Sequence, residues 1–98
     1  LPNAYTAAIT DFMRRPVVGD MECKKQKVVR IKVKAYKNGF ELKEVQAVVW
    51  DSANNVKTFM MRRNGGTLWH IDVEEMAEIK SIQIVAVDFF ENYGRRYF

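Results

Sequence analysis

One cysteine and one histidine are all this chain offers for thiol or imidazole chemistry: Cys23 in MECKKQ and His70 in TLWHID. A nucleophile and its base are recognised by mutual geometry, and nothing in either local sequence supports a pair. The expectation is an ordinary thiol and a strand or surface histidine. A single cysteine also excludes an internal disulfide and a cysteine-rich zinc site. The G-x-S-x-G elbow, the Gly-rich phosphate loop and H-E-x-x-H are all absent. Glu74 and Glu75 are consecutive, so their side chains diverge, which suits a solvated connector better than an acid and base sharing one proton. The sequence therefore predicts a protein that is not an enzyme and needs neither metal nor cofactor.

Two loops carry clustered oxygen ligands, DSANN at 51–55 and DFFEN at 88–92. Calcium loops alternate several acidic ligands around a glycine. Here each loop has amides and few acids, so turn formation is the expected role, because Asp and Asn side chains hydrogen-bond the backbone just ahead of them. The cations Lys24, Lys25, Lys27, Arg30, Lys32 and Lys34 form a second constellation. They could track the phosphates of a polyanion, but a nucleic-acid surface would also display rings for bases to stack on, and only Tyr36 is placed to do so. No nucleic-acid motif is present. Polar side chains are also what the wet side of a half-exposed strand requires, and edge lysines discourage unwanted pairing, so the row is read chiefly as solvated.

Aromatic residues are the third resource. Trp50, Trp69, Phe90 and Tyr93 are the candidates for an interaction surface, and together with Tyr36, Tyr97 and Phe89 they could build a stacking platform for sugars. A domain this small needs several of these rings in its core. Phe89 and Phe90 are adjacent, so on a strand they would point to opposite faces, leaving one outside or against a neighbouring domain.

The elements that must position these groups follow from size and pattern. The chain has 98 residues, 48% hydrophobic and 29% charged, with 16 basic against 12 acidic side chains for a net charge of +4. That length encloses one core, and the composition is that of a packed globule, not a disordered chain. Single-domain organisation over 1–98 is expected. No apolar run approaches the roughly 20 residues of a membrane span. LPNAYTAAITDF at the start lacks the basic and apolar regions of a secretory signal, and the missing initiator Met points to a processed chain or a module cut from a longer one.

Alternation at 27–36 places Val29, Ile31, Val33 and Ala35 on one side of a strand and Arg30, Lys32, Lys34 and Tyr36 on the other. KNG at 37–39 is a turn. Further strands are predicted at 45–50, 56–61, 67–72, 81–89 and 95–98, with turns at 51–55, 62–66 and 91–94. Residues 5–12 read as a first strand, broken by RPVVGD at 15–20. VEEMAEIK at 73–80 is the one helix-like stretch, too short to be more than a connector. Apolar residues of both parities at 81–89 place that strand in the middle of a sheet. About seven short strands with turns every ten residues or so predict an all-β, antiparallel sandwich of two sheets.

The run from GFELKEVQAVVWDSANNVKTFMMRRNGGTLWHIDV to IQIVAVDFFENYGRRYF resembles the immunoglobulin-like or fibronectin type III-like modules of bacterial secreted and multidomain proteins. The shared rhythm is a strand, a polar turn, a strand ending in Met, a Gly turn, then W-x-I/V and V-A-x-D. The paired cysteines of antibody domains are missing, and the turn from Asp88 to Gly94 is longer than the short D-x-x-G form. A similar rhythm occurs in the C-terminal appendage of some calcineurin-like phosphoesterases. The resemblance implies an immunoglobulin-like sandwich serving as a non-catalytic accessory module of a larger extracytoplasmic protein, spacing or docking a neighbouring domain or protein partner. The alternatives are a polyanion-binding module using the basic strand and a carbohydrate-binding module using exposed aromatics.

Overall fold

The computed structural model describes residues 14–25, 28–74 and 76–98. These form eight strands and no helix: β1 (Val17–Lys25), β2 (Val29–Tyr36), β3 (Leu42–Asp51), β4 (Val56–Met60), β5 (Arg62–Arg63), β6 (Leu68–Val73), β7 (Ile79–Asp88) and β8 (Tyr93–Tyr97). They assemble into two four-stranded antiparallel sheets, ordered β1-β2-β6-β5 and β4-β3-β7-β8. The protein is an all-β sandwich.

Period-two alternation decides the core. Ile31, Val33 and Ala35 of β2 meet Val45, Ala47 and Val49 of β3 and Ile82, Ile84 and Ala86 of β7 between the layers, all of them buried. Side chains of opposite parity face outward, as the pleat requires. β7 lies between β3 and β8, so its outward residues Val85 and Val87 are buried as well. That is the two-sided burial expected from its sequence.

Several expectations need correction. RPVVGD does not break the chain; from Val17 onward it opens β1, which pairs with β2 along its length. An edge strand tolerates the adjacent Pro16, and Gly19 sits at the register shift between Val18 and Met21. A side chain at Gly19 would press on the Tyr36 ring, so this glycine serves close packing at a bulge, not a turn. The proposed strand at 5–12 lies outside the described residues.

The described residues of VEEMAEIK form no helix. Val73 completes β6 opposite Val29, and Ile79 already opens β7 opposite Asp51. Too few residues remain between two long ladders for a helical nucleus to repay its entropy. RRNGG is only partly a turn, since Arg62 and Arg63 pair with His70 and Trp69 before Gly65 and Gly66 reverse the chain with positive φ. ENYG is displaced too: the reversal occupies 89–92, and Gly94 lies within β8. A Cβ on Gly94 would collide with the Pro16 carbonyl. This glycine lets the segment leading into β1 close over the edge of the second sheet.

Candidate functional site

The two outward faces differ in chemistry. On the β1-β2-β6-β5 sheet, Arg30, Lys32 and Lys34 project outward as expected, but they are interleaved with acids. Arg30 makes a bidentate pair with Asp72 on β6, Nε to Oδ1 at 2.8 Å and Nη2 to Oδ2 at 3.1 Å. Hydrogen bonding and then charge attraction from Arg30 hold the Asp72 carboxyl below the usual carboxylate range, and the same contacts raise Arg30. Lys24 lies 4.0 Å from Glu22. Glu22 is also the cross-strand neighbour of Lys32, whose other neighbour is His70. Lys34 is exposed, flanked on β6 by Leu68. Lys25 is exposed at the end of β1, and Lys27 lies outside the described residues. The row is thus an alternating surface, not a continuous positive track.

Cys23 and His70 lie on this sheet but on opposite sides of it. Cys23 pairs in register with Ile31 and packs against the core, whereas His70 pairs with Lys32 on the outer face. No proton can pass directly between them. Among the described residues, no three His, Cys, Asp or Glu side chains gather closely enough to hold a metal ion, and no helix is long and apolar enough to cross a membrane.

The outward face of β4-β3-β7-β8 is richer in apolar and aromatic groups. Its cross-strand rows are Val56, Trp50 and Ser81; Thr58, Val48, Gln83 and Tyr97; Met60, Gln46, Val85 and Arg95; and Glu44, Val87 and Tyr93. Val56, Met60, Tyr93 and Tyr97 are well exposed. The rings fall at opposite ends. Trp50 and Tyr97 approach with centroids 6.4 Å apart, flanking a cleft of ≈ 380 Å³ lined by Trp50, Asp51, Asn54, Lys80, Ser81 and Tyr97. Tyr93 lies at the other end, with the Arg95 guanidinium 5.0 Å from its ring.

Beyond Tyr93 the hairpin from β7 to β8 carries Phe89 and Phe90, 64% and 68% exposed. The sequence placed them on a strand pointing to opposite faces; β7 ends at Asp88, so both stand on the turn and both are exposed. The Phe90 ring stacks on Phe40 from the connection between β2 and β3, with centroids 4.2 Å apart, and the Arg14 guanidinium lies 5.3 Å from the Phe40 ring. The Phe89 amide donates to the Glu41 carbonyl at 3.2 Å. Lys37 and Glu41 close the same end with a 2.6 Å ion pair that lowers the Glu41 carboxyl. Phe40 was absent from the sequence-based candidates, and no local signal marks it, because its partner is fifty positions away.

Trp69 leaves the set of interaction aromatics. It sits opposite Val33 on the inward side of β6 and is 6% exposed. Its Nε1 finds no acceptor among the described residues, although the Arg63 guanidinium lies 5.6 Å from the ring.

Both oxygen-rich loops are turns held by one buried carboxylate. Asp88 Oδ1 accepts from the amides of Phe90 (2.8 Å) and Asn92 (2.9 Å), and Oδ2 from Asn92 Nδ2 (2.8 Å). Asp51 does the same with Ala53 N (3.0 Å), Asn55 N (2.8 Å) and Asn55 Nδ2 (3.2 Å), and it accepts a fourth bond from Ala77 N (3.2 Å). Burial alone would push the Asp51 carboxyl up; the hydrogen bonds from Asn55, Ala77 and Ala53 together outweigh it and hold the group below its ordinary range. These oxygens are spent on the fold. Compared with protein-family models, curated proteins and solved structures, the chain matches none of them.

Proposed function

We propose that this domain is a non-catalytic interaction module of a larger extracytoplasmic protein, docking a neighbouring domain or partner protein through its phenylalanine end. The observation that carries the reading is the exposure of Phe89 and Phe90 on a turn that does not need them. The equivalent positions of the twin turn are Ser52 and Ala53, with the same carboxylate and backbone hydrogen bonds. Leaving two phenyl rings in water therefore serves something other than the turn, and covering exposed apolar surface is the main driving force of association. Phe40 against Phe90 and the guanidinium of Arg14 over Phe40 add the aromatic and cationic groups typical of interface anchors.

The strand order supports the immunoglobulin-like arrangement. β1-β2-β6-β5 follows the A-B-E-D sheet and β3-β7-β8 the C-F-G sheet, with β4 added beside β3. The extracytoplasmic placement rests on the resemblance to secreted modules. The acids interleaved with Arg30 and Lys32 weigh against a polyanion surface, which needs uncompensated cations to displace counterions.

Hydroxyl-radical footprinting tests the docking. Phe89 and Phe90 should oxidise rapidly in the isolated domain and several-fold more slowly in the full-length protein or its native assembly, while Tyr97 stays reactive in both. Equal reactivity of the two phenylalanines in both preparations would sink the reading.

A further inference from the structure

The Trp50 and Tyr97 cleft lies at the opposite end of the same sheet from the phenylalanine turn and shares no residue with it. We propose that this cleft binds a hexopyranose unit of an oligosaccharide. Three observations converge. First, the two rings flank β7 where its outward residue is Ser81, the cross-strand neighbour of Trp50. The ring centroids are 6.4 Å apart and tilted by 36°, so the pair forms one platform on which a pyranose can lie, and the cleft of ≈ 380 Å³ beside it suits a sugar unit or two. Second, Tyr97 is 68% exposed, an aromatic face left in water at a position where the sheet needs nothing so large. Apolar C–H faces of a pyranose stack on such rings, while the sugar hydroxyls require hydrogen-bonding groups around the rim.

Third, the rim supplies those groups in variety. Asn54 offers an amide, Ser81 a hydroxyl and Lys80 an ammonium. Asn54 is held at a positive φ of 62° within the turn, so the backbone carrying its amide is fixed by the Asp51 hydrogen bonds and loses little freedom on binding. Asp51 also borders the cleft, but its oxygens already accept four hydrogen bonds, so it acts as a floor and not as a ligand. The exposed Lys80 ammonium borders the cleft, so a uronate-bearing unit gains a charge-assisted bond that a neutral unit lacks.

The cleft is open and its contacts few, so the affinity belongs to the weak range and the test must tolerate it. Isothermal titration and heteronuclear NMR would be run with hexasaccharides of glucan, mannan, galactan and polygalacturonate, and with a released protein N-glycan to separate a polysaccharide from a glycoprotein source. The expected result is saturable binding to at least one, with shifts confined to the Trp50 indole and to residues 53–55, 80–82 and 96–98. Tyr97→Ala should weaken binding by roughly tenfold or more, the order of one lost aromatic face. Because Tyr97 is exposed, this variant should keep its fold, which its NMR spectrum verifies directly. Phe89→Ser/Phe90→Ser at the other end should bind as the parent does. The proposal is overturned if none of these probes shifts the Trp50 indole at millimolar concentration, or if binding persists unchanged in folded Tyr97→Ala.

Discussion

The turns at 51–55 and 88–92 are the same device used in two ways. Each begins with a buried Asp whose carboxylate takes the amides two and four residues on, and each ends with an Asn whose side chain returns to that carboxylate. Each also puts its fourth residue at positive φ, 62° at Asn54 and 59° at Glu91. They are three-residue hairpin loops, a type I turn followed by a left-handed residue. The first fills its apex with Ser52 and Ala53; its Ser52 amide reaches the Glu78 carbonyl at 2.8 Å, as the Phe89 amide of the second reaches the Glu41 carbonyl at 3.2 Å, but the first is also sewn to the connector before β7 through Ala77 N to Asp51. The second carries Phe89 and Phe90 at its apex and sets a glutamate where glycine or asparagine is favoured. Asp and Asn suffice to build the reversal; what occupies the remaining positions is left to other demands.

Removing the carboxylate should have the largest effect on this comparison. Asp88→Ala leaves three donors without their acceptor and is expected to cost about 2–3 kcal/mol in denaturant unfolding. Asp51→Ala should cost more, since it also frees Ala77 from a distant segment. Faster amide exchange at 76–78 should accompany Asp51→Ala and be absent in Asp88→Ala. Equal costs and equal exchange would show that the tie to the connector is incidental.

Acid sharpens the distinction further. The Asp51 carboxyl is depressed in the folded protein, so its stabilisation is complete above the unfolded value of about 3.9 and is lost as pH falls through the lower folded value. Asp72 and Glu41 are depressed too and act with the same sign, but their partners Arg30 and Lys37 are exposed. Salt should erase most of their contribution and little of that from Asp51. At high salt, the fall in melting temperature between neutral pH and the acid side of this window should be smaller in Asp51→Asn than in the parent. A parallel fall in both proteins would remove Asp51 as the source.

The smallest effect concerns the left-handed residue. Glu91→Gly should stabilise the domain by about 0.5–1 kcal/mol, because glycine adopts this backbone without steric cost. Asn54→Gly should change stability by only a few tenths, since asparagine already tolerates the conformation. If Glu91→Gly proves destabilising, Glu91 makes a contribution beyond the turn.

Much of the sandwich was legible in residue order. Alternation at 29–35 named the inward row of β2, and the mixed parity of 81–89 marked β7 as central, because side-chain sidedness follows from strand geometry alone. The failures lie where a local signal was answered from elsewhere in the chain. Pro16 and Gly19 looked like a break and instead begin and bulge an edge strand. Gly94 looked like a turn glycine and instead makes room for Pro16. Trp69 was one of the candidate interaction rings in a set of which several were expected in the core, and only its pairing with Val33 shows that it faces inward. The shared D-x-x-x-N spacing at 51 and 88 was visible, and it could have announced that Phe89 and Phe90 stand on a turn where adjacency does not send them to opposite faces.

By itself the sequence determined the class of the fold, the wet and dry sides of its best strands and the positions of its main reversals, since each depends on backbone geometry within a few residues. Which ring meets which was decided only by tertiary pairing. Phe40 reaches Phe90, and Trp50 reaches Tyr97, because register across β3, β7 and β8 brings residues 47 to 50 positions apart into one neighbourhood. The physical reason is that alternation repeats along a strand without specifying its neighbour; that choice belongs to the whole core at once.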